Sequence, residues 1–285
     1  MTSLSHTGTP ANEIVKAVKD RSPLSFKKAV TNEFFLYVVS LILFIVIWHW
    51  VAALGILGRS LATPAEVVRE LYRLTQIRLA GLTLWGHIWD SARRILIGFS
   101  IASAIAIPLG LFMGLNRYVS AIVKPLFDLL KPMPPIAWIS IAILWFGIGE
   151  PSKVFIIVIG TFVPCLLNSY NGIRLIEPEL YDVVRVLGGK RWHEIIQVSF
   201  PAAFPAIFAG LQISMAIAWT CVLAAELVSS RSGLGWIIIR GMKMTRPELV
   251  IGGMIIIALV ALSTTLLISW LEKIVCPWKR EFEKD

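Results

Sequence analysis

The stretch Glu177–Pro201, EPELYDVVRVLGGKRWHEIIQVSFP, is charged and helix-patterned, and it lies between two long apolar runs. Pro178 suits a first helical turn, and Glu177, Glu179 and Asp182 sit where a helix dipole favours negative charge. Leu180, Val183, Val184 and Leu187 recur at i, i+3, i+4 and i+7, which is one apolar face. Gly188-Gly189 supplies the backbone reversal that a helix C-terminus requires. A second short helical pattern carries Trp192, Ile195 and Ile196 on one side, and Pro201 is expected to end it. Such a helix–Gly turn–helix of 25 residues exceeds the ordinary connection of about 2–8 residues between packed helices.

The surroundings decide what kind of protein tolerates this segment. The chain has 285 residues, 56% hydrophobic and only 16% charged, with a mean hydropathy of +0.75. A soluble domain averages about 25% charged residues, so the composition points to a membrane protein. The net charge of +9 then reads as basic residues gathered in cytoplasmic loops rather than as a nucleic-acid surface. Cys165, Cys221 and Cys276 show no C-x-x-C spacing and read as small buried hydrophobes.

Taken in order, the chain predicts six spans and an all-α fold. Met1–Glu33 is polar and basic, a cytoplasmic N-terminal segment. Phe34–Leu57 carries no Lys, Arg, Asp or Glu, and as a helix it is ~36 Å long, enough for a hydrocarbon core of ~30 Å. Gly58–Arg94 is expected to be an extracytoplasmic connection. It holds a surface amphipathic helix announced by Thr63-Pro64-Ala65-Glu66 and continued by Val67, Val68, Leu71 and Leu74. The second span is expected over Ile95–Leu115, where Gly110 and Gly114 permit close helix approach.

The third span is irregular. Lys124, Asp128 and Lys131 share a helical face, read as a membrane-edge helix with neighbouring opposite charges, the alternative being an intramembrane ion relay. Pro132-Met133-Pro134-Pro135 then interrupts the backbone before an apolar run to Gly149-Glu150. Broken spans often lie near translocation paths. Spans four to six are expected over Val154–Ile173, Phe200–Ala225 and Leu249–Leu271, followed by a cytoplasmic tail over 273–285. Placing the N-terminus and the Glu177–Pro201 stretch in the cytoplasm puts the larger share of Lys and Arg there, as the positive-inside rule favours.

The sequence has no G-x-x-x-x-G-K-[ST] phosphate cradle and no H-E-x-x-H, G-x-S-x-G or C-x-x-C, so catalytic and metal-ligating residues are expected to be none. Energy for uphill transport must then enter from another protein or an ion gradient. Five of the six spans lack Asp, Glu, Lys and Arg, and the third does too once it is started at Pro132, which speaks against ion coupling. A carrier or channel without an ATPase, and a scaffold with no transport role, stay as the readings from other classes.

Three groups of residues carry a family resemblance. Asp182-Val183-Val184, Gly188 and Val198-Ser199-Phe200-Pro201 resemble the cytoplasmic E-A-A…G…I-x-L-P loop of bacterial ABC importer permeases, with Asp for Glu and valines for alanines. Lys131 to Trp138 and Trp145 to Glu150 look like the sulfonate, taurine and nitrate branch, with the taurine permeases the nearest type. Ala224-Ala225-Glu226-Leu227 with Gly233-Leu234-Gly235, and the terminal Pro277-Trp278, are similar to the same branch. Likeness covers roughly Ile88 to the C-terminus.

The resemblance implies a type I ABC importer (MetI-like) permease fold, with a core over 88–272 and a coupling loop over 174–200. It implies a bacterial inner-membrane location, a second permease copy, ABC ATPase subunits and an extracytoplasmic solute-binding protein. No cofactor is expected on this chain, ATP and Mg belonging to the ATPase. ATPase docking is expected from Leu180, Asp182, Val183, Val184, Arg185, Leu187, Gly188 and Pro201. Trp138, Asn168, Met215 and Trp219 are pathway candidates as polar or large residues within spans three to five. The expected cargo is a small organic anion, a sulfonate such as taurine. Nitrate, bicarbonate or a vitamin precursor is the alternative on the same machine.

Overall fold

A computed structural model describes residues 26–56 and 58–280. The expected N-terminal segment over residues 1–25 and the last five residues of the tail lie outside these. The chain divides into Met1–Pro64 and Ala65–Asp285. In the first unit, helix α1 runs from Phe26 to Ala53, with its apolar span over Phe35–Ala53.

In the second unit the helices are α2 (Pro64–Gln76), α3 (Leu84–Leu115), α4 (Arg117–Leu130) and α5 (Ile139–Phe146). They are followed by α6 (Glu150–Arg174), α7 (Pro178–Val186), α8 (Arg191–Ser229), α9 (Leu234–Lys243) and α10 (Pro247–Val275). α1, α3, α6, α8 and α10 are each long and apolar enough to cross a membrane. α4 and α5, bent by 84° at their break, form a sixth span if counted together. The all-α expectation and the six spans agree with this architecture.

The core lies where α3, α6 and α8 pack with α9 and α10, around Ile95, Ile156, Ile157, Trp219, Val222 and Leu249. Small residues set the spacing. A Cβ on Gly110 would stand 2.6 Å from the Leu166 carbonyl oxygen, and one on Gly114 2.5 Å from Ile173 Cβ. The close approach expected from this glycine pair is therefore made between α3 and α6.

Three boundaries differ from expectation. α3 begins at Leu84, so Arg93 and Arg94 lie inside the helix rather than before it. Helix α8 does not end at Pro201. It passes through a π-helical turn over Glu194–Ser199, in which the Phe200 N–H donates to the Ile195 carbonyl. Pro201 has no N–H to give, and a wider turn just before it accommodates that loss without ending the helix. α8 also runs on to Ser229, beyond the Ala225 expected as the end of the fifth span, and the helix α9 that follows buries Leu234, Ile237 and Ile238. Helix α2 forms as expected, but Val67, Glu70 and Leu74 are buried. Its Glu70 accepts a 2.8 Å bond from Arg246, which also holds Glu248.

Chain direction fixes two ends of the bundle. α6 runs from Glu150 to the α7 loop, and α8 runs back. Glu150 and Glu226 therefore share the end opposite α7.

Candidate functional site

Helix α7 is short, exposed and firmly terminated. Gly188 stands at φ +77°, the left-handed region open to glycine at little cost. Its N–H donates to Arg185 O at 2.9 Å, and the Gly189 N–H donates to Val184 O at 2.8 Å. Together these bonds form a Schellman C-cap. A Cβ on Gly188 meets nothing within 4 Å, whereas one on Gly189 would collide with the Val184 side chain and stand 2.8 Å from Val184 O. Gly188 is thus needed for its backbone angle and Gly189 for space. Val184 is explained by the same geometry, since its methyl covers the cap.

The sequence face of Leu180, Val183, Val184 and Leu187 divides. Val184 turns inward with Tyr181, while Leu180, Val183 and Leu187 face outward, Leu187 being 81% exposed. Pro201 lies inside α8, away from this face. An exposed apolar stripe on a short helix with charged neighbours is the kind of patch that marks an interaction surface.

Two links tie α7 to the start of α8. Arg185 Nε donates to Glu194 Oε1 at 2.8 Å and its NH1 to Asp182 Oδ1 at 3.1 Å. The Glu194 carboxylate holds the Arg185 pKa above its ordinary value. Tyr181 Oη and Ser199 Oγ are 3.1 Å apart, and Ser199 also donates to Glu194 O across the π turn. Tyr181, Glu194 and Ser199 were not among the sequence candidates. These contacts join α7 to the root of α8.

The opposite end of the bundle holds a buried charge cluster that sequence reading missed. Arg94, 2% exposed, grips Glu150 through Nε and NH2 at 2.7 and 2.8 Å, a bidentate pair. Its NH1 donates to Glu226 at 2.6 Å, and Ser232 receives two further bonds. Glu226 also accepts from Ser91 Oγ at 2.7 Å and from the Gly235 N–H at 2.8 Å. Lys153 reaches Glu150 and Ser230. The Gly233 N–H donates to His87 Nδ1, so His87 is the tautomer whose Nε2–H donates to Leu79 O. The ring stacks on Trp236 at 5.4 Å.

These charges lie just beyond the span bounds expected from sequence but inside the longer helices, and they join α3, α6, α8 and α9. The cluster also explains why Glu226 accompanies Gly233-Leu234-Gly235. A Cβ on Gly233 would run into the Glu226 carboxylate, and one on Gly235 would lie 2.7 Å from Glu226 Cβ. Gly233 also holds φ +109°. Gly233→Ala is expected to destabilise the protein by about 2–4 kcal/mol through strain and overpacking. A thermal midpoint in detergent equal to that of the unmodified protein would contradict this.

The four pathway candidates do not converge. Met215 and Trp219 are buried in the core, where Trp219 Nε1 donates to Thr264 at 3.0 Å. Asn168 is half-buried, donating to Pro164 O and lying beneath Gly210. Trp138 alone borders a cavity, of about 660 Å³, beside the α4–α5 break. Large residues inside a span fill the core as readily as they line a path, so size and polarity did not separate the two cases.

Comparison with known proteins gives this geometry a lineage. Residues 106–281 match the family of binding-protein-dependent transport system inner membrane components. A Methanocaldococcus jannaschii protein named as an ABC transporter permease is 36% identical over 89% of this chain and 95% of its own length. The taurine transport system permease of Escherichia coli is 28% identical, over 91% of this chain and 95% of that one. Among solved structures, an inward-facing MetNI methionine ABC transporter shares the fold, with a TM-score of 0.56 and 16% identity. That match covers 67% of this chain and 97% of the other. The long apolar helices, the α7 loop and these matches together place the chain in the family of binding-protein-dependent transport system inner membrane components, as an ABC transporter permease subunit, a multi-pass membrane protein that is not itself an enzyme.

Proposed function

We propose that the chain is the membrane path of an ATP-driven importer for a small organic anion, with sulfonates the leading cargo. The observation that carries the coupling half is the exposed stripe Leu180, Val183 and Leu187 on a helix bolted to α8. In this reading α7 seats in a groove of the ATPase. Asp182 and Arg185 set charge at the contact, Val184 and Gly188 keep the cap rigid, and Pro201 marks the root of the moving span. ATP and Mg sit on the ATPase. Its closure draws α7 along, and α8 follows through Tyr181, Glu194 and Ser199. A second permease copy and a solute-binding protein at the Glu150 end complete the machine.

The cargo half is supported by relatives. A Bacillus subtilis protein named for transport of aliphatic sulfonates is 34% identical over 84% of this chain and 86% of its own length. A second reading, an inorganic anion, has support from the bicarbonate transport permease of Synechococcus elongatus, 33% identical over 81% of this chain. Growth of a deletion strain separates them. With a sulfonate as sole sulfur source the strain is expected to stop growing, and to resume on sulfate. Normal growth on sulfonates, with failure only at low bicarbonate or on nitrate, would favour the inorganic anion.

A further inference from the structure

The α4–α5 break packs through Pro135 against the middle of α6, while Pro132, Met133 and Pro134 are exposed. A Cβ on Gly160 of α6 would lie 3.4 Å from Pro135 Cβ. Gly160 is ten residues from Glu150 and fourteen from Arg174, about 15 Å and 21 Å from the two ends of α6. Four residues before Pro135, Lys131, exposed at the C-cap of α4, lines the 660 Å³ cavity together with Phe127, Met133, Trp138, Pro164 and Thr220. Lys131 is the only charged residue in that wall, and among the described residues no carboxylate lies within ion-pair distance of it. Asp128, one turn earlier, lines a separate cavity with Arg117, Lys124 and Arg174. The structure thus revises the reading of Lys124, Asp128 and Lys131 as one membrane-edge face.

A lone ammonium in an otherwise apolar wall is open to an anion from outside the chain. Here the cavity is present and the protein supplies no partner. We infer that Lys131 is the cargo-contacting cation of the path, and that the cavity selects an amphiphilic monoanion such as an alkanesulfonate. This rests on the anion-importer reading above. The sulfonate head would meet Lys131 Nζ, and the alkyl chain would lie on Phe127, Met133 and Trp138. An aminosulfonate brings an ammonium for which the wall has no carboxylate, and a bare inorganic anion leaves the apolar wall unused.

The test is uptake of radiolabelled 1-butanesulfonate and taurine by cells carrying the native partner proteins and either the unmodified chain, Lys131→Met or Lys131→Arg. Membrane-inserted protein and ATPase co-purification are measured in parallel. The unmodified chain is expected to prefer butanesulfonate. Lys131→Met should lower its uptake about 10- to 100-fold, the scale of a lost bond to a charged group, with insertion and ATPase binding unchanged. Lys131→Arg should keep most of the uptake. Undiminished uptake by Lys131→Met, equal loss in both variants, or a preference for taurine overturns the inference while leaving the importer reading in place. Absence of any sulfonate uptake by the unmodified chain overturns the cargo reading itself.

Discussion

Arg94→Ala is expected to be among the most damaging single changes in the protein, costing about 3–5 kcal/mol, the scale for breaking one side of a buried ion pair. The guanidinium alone serves both oxygens of Glu150, one of Glu226, and Ser232 twice. Its loss strands the Glu226 carboxylate, which is 1% exposed and keeps only Ser91 and the Gly235 N–H. Arg94→Lys should fail nearly as badly, because one ammonium cannot reproduce a planar fork with acceptors on three segments. The double change Arg94→Met with Glu226→Gln should recover part of the loss, since it removes both buried charges together. Thermal midpoints in a single detergent, compared across the four proteins, check this. A midpoint for Arg94→Ala within a degree of the unmodified protein would show that the cluster is not a structural joint.

The second large effect concerns the exposed face of α7. Leu187→Asp and Val183→Asp change side chains that project away from the bundle, 81% and 57% exposed. Membrane insertion should therefore be unaffected. Each places a carboxylate in the proposed contact, where central apolar anchors carry most of the binding energy. Loss of about 2 kcal/mol or more is expected, which lowers ATPase affinity at least about 30-fold and stops ATP-driven uptake. Co-purification of the ATPase with the detergent-solubilised permease is the readout. Retention at normal stoichiometry by both variants would remove α7 from the interface. Gly188 gives a graded companion case. Because a side chain there meets only open space inside the chain, its replacement acts through φ +77° and through the partner rather than through an internal clash.

These two sites differ in how far the sequence discloses them. The α7 loop is local: its apolar spacing, its glycine pair and its acidic first turn lie within a dozen residues, and the helix follows directly. What spacing does not show is which of Val183 and Val184 faces inward, because that depends on Gly189 and on the packing of Tyr181. The charge cluster is non-local. Glu226 is 132 positions from Arg94, and only the fold brings them to 2.6 Å. Treating charged residues as the ends of spans also places the start of α3 eleven residues late. A signal did exist: His87, Ser91 and Arg94 recur at i, i+4 and i+7, a polar stripe on one helix face. The prolines after Lys131 disclose the break in the third span, but the packing of Pro135 against Gly160 and the cavity that Lys131 lines emerge only from the fold.

The central claim is that energy enters this subunit through α7. Its most exposed large apolar side chain is Val186, at 86%, while the native Cys165, Cys221 and Cys276 are free and buried. Val186→Cys therefore supplies one accessible thiol. Its rate of labelling by a membrane-impermeant maleimide, measured on purified permease with and without its ATPase, tests the claim most directly. Bound ATPase is expected to slow labelling at least about tenfold, as burial of a reactive thiol does. Labelling at the same rate with the ATPase bound would contradict it.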